Sequence, residues 1–322
     1  MFTARIRSLV LVGFAALLVA PLGACKVNPA TGKRSLILMT WEQEKQLGLE
    51  AAPQMTDQFG GEVPDATATD YTREVGMKLT TGVEEAVPDL DWEFTLVNSP
   101  VINAFALPGG KIFMTRGLAE KLSSEAEFAG VLGHEIGHVT ARHSNQQMSA
   151  QLGLNFALGA AAVAVGVSDP DSDVRRYGQA GIPAIAVGSN LFLLKYGRDD
   201  ESEADLLGMR YMSRAGYDPV GQLRVMQVLQ QASEGSGRPP EFLSTHPYPE
   251  SRIERIKELL NGDFSGTQNN PDYVIRAEDY QRRMLTPLSR LAPAPDPSST
   301  EESAMLLNTW MWCAHCRESE GT

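Results

Sequence analysis

Hydrophobic and polar positions change rhythm several times along this chain, and each rhythm predicts an element. "NPATGKRSLILMT" reads as extended chain. "WEQEKQLGLEAA" after it reads as a helix that Thr40 caps, with Gln43 three residues on. A second helix, "DYTREVGMKLTTGVEEAV", ends before Pro88. "WEFTLVN" and "VINAFALPGGKIFMT" read as strands, the latter folded into a hairpin at Pro108-Gly109-Gly110. "SSEAEFAGVLGHEIGHVTARHS", from Ser123 to Ser144, is a helix that is small and apolar over much of its surface, with Ser124 and Glu127 placed as a capping box. From 152 to 195 two apolar, Gly/Ala-rich runs flank the polar turn "SDPDSDVRRYGQ". Each run is about 16 residues, short of the roughly 20 that a membrane span needs, so helices packed on the main domain are expected. Three more helices follow: "DDESEADLLGMRYMSRAGY", stopped by Asp218-Pro219, "VGQLRVMQVLQQAS", and "PESRIERIKELLNG", ended by Gly262. Residues 263–322 turn polar and Pro-rich, which predicts a linker and a disordered tail. No repeat of helical-hairpin length is present. The pattern is that of an α+β domain, mostly helical, over residues 25–262.

The N-terminus adds a destination. Arg5 and Arg7, the apolar run "LVLVGFAALLVAPL" and the small residues of "LGAC" make a secretory signal over residues 1–24. Leu22-Gly23-Ala24-Cys25 resembles the lipobox of bacterial lipoproteins. That resemblance implies a lipidated Cys25, a membrane anchor and a chain facing the periplasm. Lys26, in place of an aspartate, favours the outer membrane. Cys313 and Cys316 then remain, a pair suited to a small disulfide loop or half of a zinc ligand set, and most simply an incidental tail. The formal charge of −12 over 322 residues, with no basic stripe, speaks against a nucleic-acid partner.

The chemistry sits in the apolar helix. The chain has five histidines, and three of them fall between 134 and 143. His134 and His138 are four apart, one helical turn, so both imidazoles lie on one face at a separation a single Zn²⁺ bridges. Glu135 points about 100° away, placed to take a proton from a water at the metal without being a ligand. A catalytic zinc needs a third protein ligand. The position ten after His134 is Ser144, and His143 lies about 140° round the helix from His138, so it suits a supporting role. The acid-rich "GRDDESEADLLG" is the other source. Spacing alone leaves it open, because Glu201 and Asp205 share one face and Asp199 and Glu203 share another.

"HEIGHVTARH", "LKYGRDDESEADLLG", "AGYDP" and "THPYPESRI", preceded by "NAFALPGGKIFMTRGL", occur in that order between about residues 26 and 262. Together they resemble the zinc metallopeptidases (gluzincins) that include the HtpX heat-shock proteases and the CAAX prenyl endoproteases, and within them the bacterial envelope lipoprotein branch. The resemblance implies a zincin-like domain with a small sheet whose edge strand precedes the H-E-x-x-H helix. It implies one Zn²⁺ held by His134, His138 and Glu201, with Glu135 as general base. Asp205 would orient a ligating imidazole or assist proton transfer, and Glu203 would be a solvated helix residue. Gly197-Arg198 departs from the Ser-Arg common in relatives, at modest cost to the helix start. His246 is implied as a gate that reaches the metal, against a plain loop-holding role. Arg252 is implied as an oxyanion stabiliser, against a plain salt bridge. A peptidase must hold an extended backbone, and the strand at Asn103, Ala104, Phe105 and Ala106 is the expected grip. The implied substrates are unfolded or misassembled envelope proteins, and the outer-membrane protein assembly machinery is an implied partner. An assembly factor with a silent zinc site and a non-catalytic scaffold are the rival readings.

Overall fold

Five short strands and seven helices of more than two turns organise the described part of the computed structural model, which covers residues 25–164, 195–235, 240–247 and 249–295. The chain starts as a hairpin of β1 (Cys25–Val27) and β2 (Arg34–Leu36), with Cys25 opposite Leu36. Helix α1 (Trp41–Gln58) then begins at the expected cap: Thr40 Oγ1 accepts the Gln43 N–H and Gln43 Oε1 accepts the Thr40 N–H. Helix α2 (Ala66–Thr80) is capped by Asp65, and it starts and stops earlier than its polar pattern suggested.

β3 (Glu93–Val97), β4 (Ala104–Leu107) and β5 (Lys111–Thr115) form one sheet in the order β3-β5-β4. β3 runs parallel to β5, and β4 pairs antiparallel with it through the Pro-Gly-Gly turn. Alternation along the strands gives the sheet two apolar faces. Phe94, Leu96, Ala104, Ile112 and Met114 join the main core with α2 and the helix that follows. Phe105, Leu107 and Phe113 pack instead on Leu47, Ala51 and Met55 of α1.

Helix α3 (Glu125–Ala141) is buried along its whole length. Ser124 accepts the Glu127 N–H as expected, but the Glu127 carboxylate turns to Ser123, so the reciprocal half of the capping box is absent. Against α3 lies α5 (Arg198–Arg214), and glycines set the spacing between them. A Cβ on Gly137 would meet the Ala204 carbonyl at 2.8 Å, and one on Gly208 would meet the His134 amide nitrogen at 2.8 Å. The two backbones therefore touch, and the side chains beside these glycines are driven into one another's reach.

After Ala141 the helix breaks. Arg142 takes a left-handed conformation (φ 63°), and α4 (His143–Ala164) starts in a new direction. The first apolar Gly/Ala-rich run is helical as far as Ala164, while residues 165–194 lie outside the described residues, as do the signal segment 1–24 and the tail with Cys313 and Cys316. Among the described residues no helix is long and apolar enough to cross a membrane.

Helices α6 (Val220–Gly235) and α7 (Pro249–Asn261) complete the helical layer. The expected boundary at Gly262 needs correction, because the core continues beyond it: Phe264, Tyr280, Met284 and Leu288 are buried. Tyr280, Met284 and Leu288 recur every four residues, a one-residue-wide helical stripe in an otherwise polar stretch. Arg116 locks this strap by donating to the carbonyls of Ala292 (2.7 Å) and Leu288 (3.1 Å).

Candidate metal centre

The close α3–α5 approach brings three of the sequence's candidates together at once. His134 Nε2 and His138 Nε2 are 3.0 Å apart, and Glu201 places Oε2 at 3.5 Å from the first and Oε1 at 3.5 Å from the second. His246 joins them, with Nδ1 at 3.0 Å from Glu201 Oε1 and 3.4 Å from His134 Nε2. All four residues are buried, and one ligand atom from each lies within 4.8 Å of every other. Two nitrogens each about 2.0–2.1 Å from one tetrahedral ion would stand roughly 3.4 Å apart, so the imidazole pair fits a zinc ion.

The surroundings fix the charges. Asp205 Oδ1 is 2.9 Å from His134 Nδ1, which turns the opposite nitrogen, Nε2, toward the other donors. Burial and Arg252 oppose a charge on His134, but hydrogen bonds to Asp205 and Glu201 prevail and push it up to about 9 in the metal-free chain. Burial, with His134 beside it, holds His138 well below its ordinary value. Burial also works against the Glu201 carboxylate, yet Arg252, His246 and His134 hold it well below the usual range. Asp205 follows the same balance, with Arg252 outweighing burial and lowering it to about 2.

Arg252 is the cationic partner of both acids. It donates to Asp205 through Nε (2.8 Å) and a terminal nitrogen (2.6 Å), and its other terminal nitrogen lies 2.6 Å from Glu201 Oε2, close but out of hydrogen-bond line. Arg252 thus forms a buried salt bridge to both acids, and Gln222 adds a 2.8 Å hydrogen bond to Asp205. Glu135 is different. Its Oε1 is buried with no hydrogen-bond partner among protein atoms, and His246 Nε2 at 3.6 Å is its nearest ionic contact. Burial raises its pKa, the condition for a carboxylate that takes up a proton readily.

Several supporting residues carried little signal in the sequence. Tyr196 stacks on His138 with ring centres 3.9 Å apart, and its hydroxyl is 3.0 Å from Ser144 Oγ. Phe242 stacks on His246 at 4.3 Å, and its backbone N–H donates to the Ile102 carbonyl ahead of β4. Both are aromatics next to a motif ("LKYGR", "EFLSTHP") that mark themselves only once the fold is known. Glu203 is not solvated as expected: its carboxylate meets Lys33 at 2.7 Å and His143 Nε2 at 3.2 Å. Although burial opposes it, His143 and Lys33 keep the Glu203 carboxyl below the usual range.

The expected substrate strand lies at the outer edge of the sheet as β4. Ala104, Phe105 and Leu107 are buried, Ala106 is half-buried, and a cavity of about 10 Å³ separates Ala106 and Leu107 from His138. Asn103, just before β4, is fully buried with neither side-chain polar atom hydrogen-bonded.

Residues 68–260 match Peptidase family M48. The chain is 31% identical over 246 residues to the Beta-barrel assembly-enhancing protease of Escherichia coli (strain K12), covering 74% of this chain and 47% of that protein. It is 29% identical over 234 residues to the Mitochondrial metalloendopeptidase OMA1 of Schizosaccharomyces pombe, covering 72% of this chain and 65% of that protein. The Arabidopsis thaliana OMA1 is 35% identical over 170 residues, 52% of this chain and 32% of its own length. The chain therefore spans about half the length of the bacterial relative. The family's metal is zinc, in agreement with the donor set. With 193 consecutive residues matched around a buried His-His-Glu cluster, this chain belongs to Peptidase family M48.

Proposed function

We propose that this chain is a zinc-dependent endopeptidase of the bacterial cell envelope that cleaves misfolded or misassembled periplasmic and outer-membrane proteins. The observation that carries the reading is one buried carboxylate, Glu135, whose Oε1 has no hydrogen-bond partner, set beside the His134, His138 and Glu201 donors. When bound, zinc supplies Lewis acidity that brings the pKa of a water toward neutrality and polarises a carbonyl. The rest falls to the chain. Glu135 accepts the proton and returns it to the departing amine. Asp205 holds the tautomer of His134, and Arg252 balances the two carboxylates behind the ligands. The edge of β4 grips an extended backbone through main-chain hydrogen bonds, with Asn103, Ala104, Phe105 and Ala106 lining the grip. Such a grip reads backbone more than side chains, which suits unfolded substrates.

His246 acts as a gate in this reading. Its place within 3.0 Å of Glu201 supports a resting state in which a fourth protein donor occupies the corner that substrate needs. The same fourth donor is what favours the second reading, an assembly factor for outer-membrane proteins with a silent site. The name of the Escherichia coli relative supports the envelope setting and the link to the outer-membrane protein assembly machinery. A lipidated Cys25 would anchor the chain to the outer membrane, facing the periplasm.

Glu135→Gln separates the readings. The endopeptidase reading expects the variant to retain one zinc per chain and to lose cleavage of an unfolded protein substrate by about 10²–10⁴-fold. Retained cleavage would refute the assigned base. Full complementation of a deletion strain by the variant would favour the assembly factor.

A further inference from the structure

Helical geometry kept His143 away from the metal ligands, yet the structure brings it back. On an unbroken helix a residue five after His138 faces elsewhere. The left-handed turn at Arg142 redirects the chain, and His143 Nδ1 ends 2.8 Å from His138 Nδ1. A left-handed turn is strained in a residue with a side chain, so it persists only where its surroundings impose it. They come from a segment that precedes the family-matched residues 68–260. The Arg142 Nε–H is shared between both oxygens of buried Glu44, each at 3.1 Å, and the Met39 carbonyl accepts a hydrogen bond from the same guanidinium at 2.6 Å. Asn28 adds a hydrogen bond to the Thr140 carbonyl, and Lys33 holds Glu203 against His143.

We propose that His143 is a positioning residue for His138, with its tautomer set by Glu203 and its place set by the N-terminal segment that locks the Arg142 turn. The inference rests on His138 being a metal ligand. Its Nε2 faces the other donors, so a ligating, neutral His138 carries its proton on Nδ1. His143 Nδ1 must then accept, which leaves its proton on Nε2, 3.2 Å from the Glu203 carboxylate. Every atom in the chain Lys33–Glu203–His143–His138 has one consistent role. His134 has its own orienting partner in Asp205, and this chain supplies the matching one for the second imidazole.

The test is zinc affinity, measured by chelator competition on the full chain, beside the melting temperature of the metal-free form and the visible spectrum of the Co²⁺ form. His143→Leu removes the acceptor. It should weaken zinc binding by about 10–100-fold, the usual effect of losing such an outer partner, and shift the Co²⁺ bands, with little change in metal-free melting. His143→Asn places an oxygen where Nδ1 was and should recover most of the affinity. Glu203→Gln, a partly exposed change, should move both readouts in the same direction and by less. Two results overturn the proposal: leucine and asparagine variants that bind zinc within twofold of the native chain, or affinity losses that track the metal-free melting temperature. A native chain that takes up no zinc would instead overturn the metal-centre reading itself, and this inference with it.

Discussion

His134 and His246 carry the sharpest consequences of individual residues. In the metal-free chain His134 is held up at about 9, so near neutral pH it carries a proton that a metal must displace. The sign follows directly. Zinc affinity should rise about tenfold per pH unit through neutrality and level off near pH 9, with close to one proton released per ion on calorimetry in buffers of different ionisation heat. The metal-free fold responds in the opposite sense: the raised pKa stabilises it fully below 6.5, and that contribution fades as pH climbs through about 9. A pH-independent zinc affinity between 6 and 8 would show that His134 is not the group displaced. His246→Ala makes a second prediction. If the ring stands where substrate must enter, its removal should raise the rate of peptide cleavage, and an unchanged rate would leave His246 with a loop-holding role only.

At the scale of elements, the signals that the sequence carried most clearly are local ones. Thr40 with Gln43, the Pro-Gly-Gly turn and the i, i+4 histidines each act within one turn of chain. What stayed illegible depends on neighbours distant in sequence. The choice of Glu201 over Asp199 or Glu203 is decided by which face of α5 meets α3, and that face is chosen by the Gly137–Ala204 and Gly133–Gly208 contacts. Resemblance, not spacing, pointed to Glu201. Likewise the break at Arg142 has no glycine or proline to announce it, and is enforced by Glu44 from another helix. The glycine contact gives a direct prediction. Gly208→Ala forces α5 off α3, which should cost about 1–3 kcal/mol in chemical denaturation and weaken zinc binding. Stability and affinity equal to the native chain would mean that this packing does not set the site.

The whole molecule is larger than its motifs. The strap after Gly262 was read as linker because polar residues outnumber apolar ones there, yet a stripe of three large side chains suffices to dock it. Tyr280 also donates from its hydroxyl to the Ala119 carbonyl (2.7 Å), tying the strap to the turn that precedes α3. Met284→Ala and Leu288→Ala should each cost about 2–5 kcal/mol by denaturant unfolding, as large-to-small changes in a packed core do, while a solvated linker would give values near zero. Nearby, Glu125 at the first turn of α3 accepts hydrogen bonds from the hydroxyls of Tyr71 and Tyr217, both at 2.7 Å, and from Arg276 at 3.2 Å. The start of the helix that carries His134 and His138 is thereby fixed to α2, to the loop after α5 and to the strap together. All of this serves one buried cluster. The most direct measurement is an anomalous-difference map at the zinc edge from crystals of the purified chain. One peak between His134 Nε2, His138 Nε2 and a Glu201 oxygen is the predicted result, and no peak there, or an ion bound elsewhere with these three side chains apart, would contradict the account.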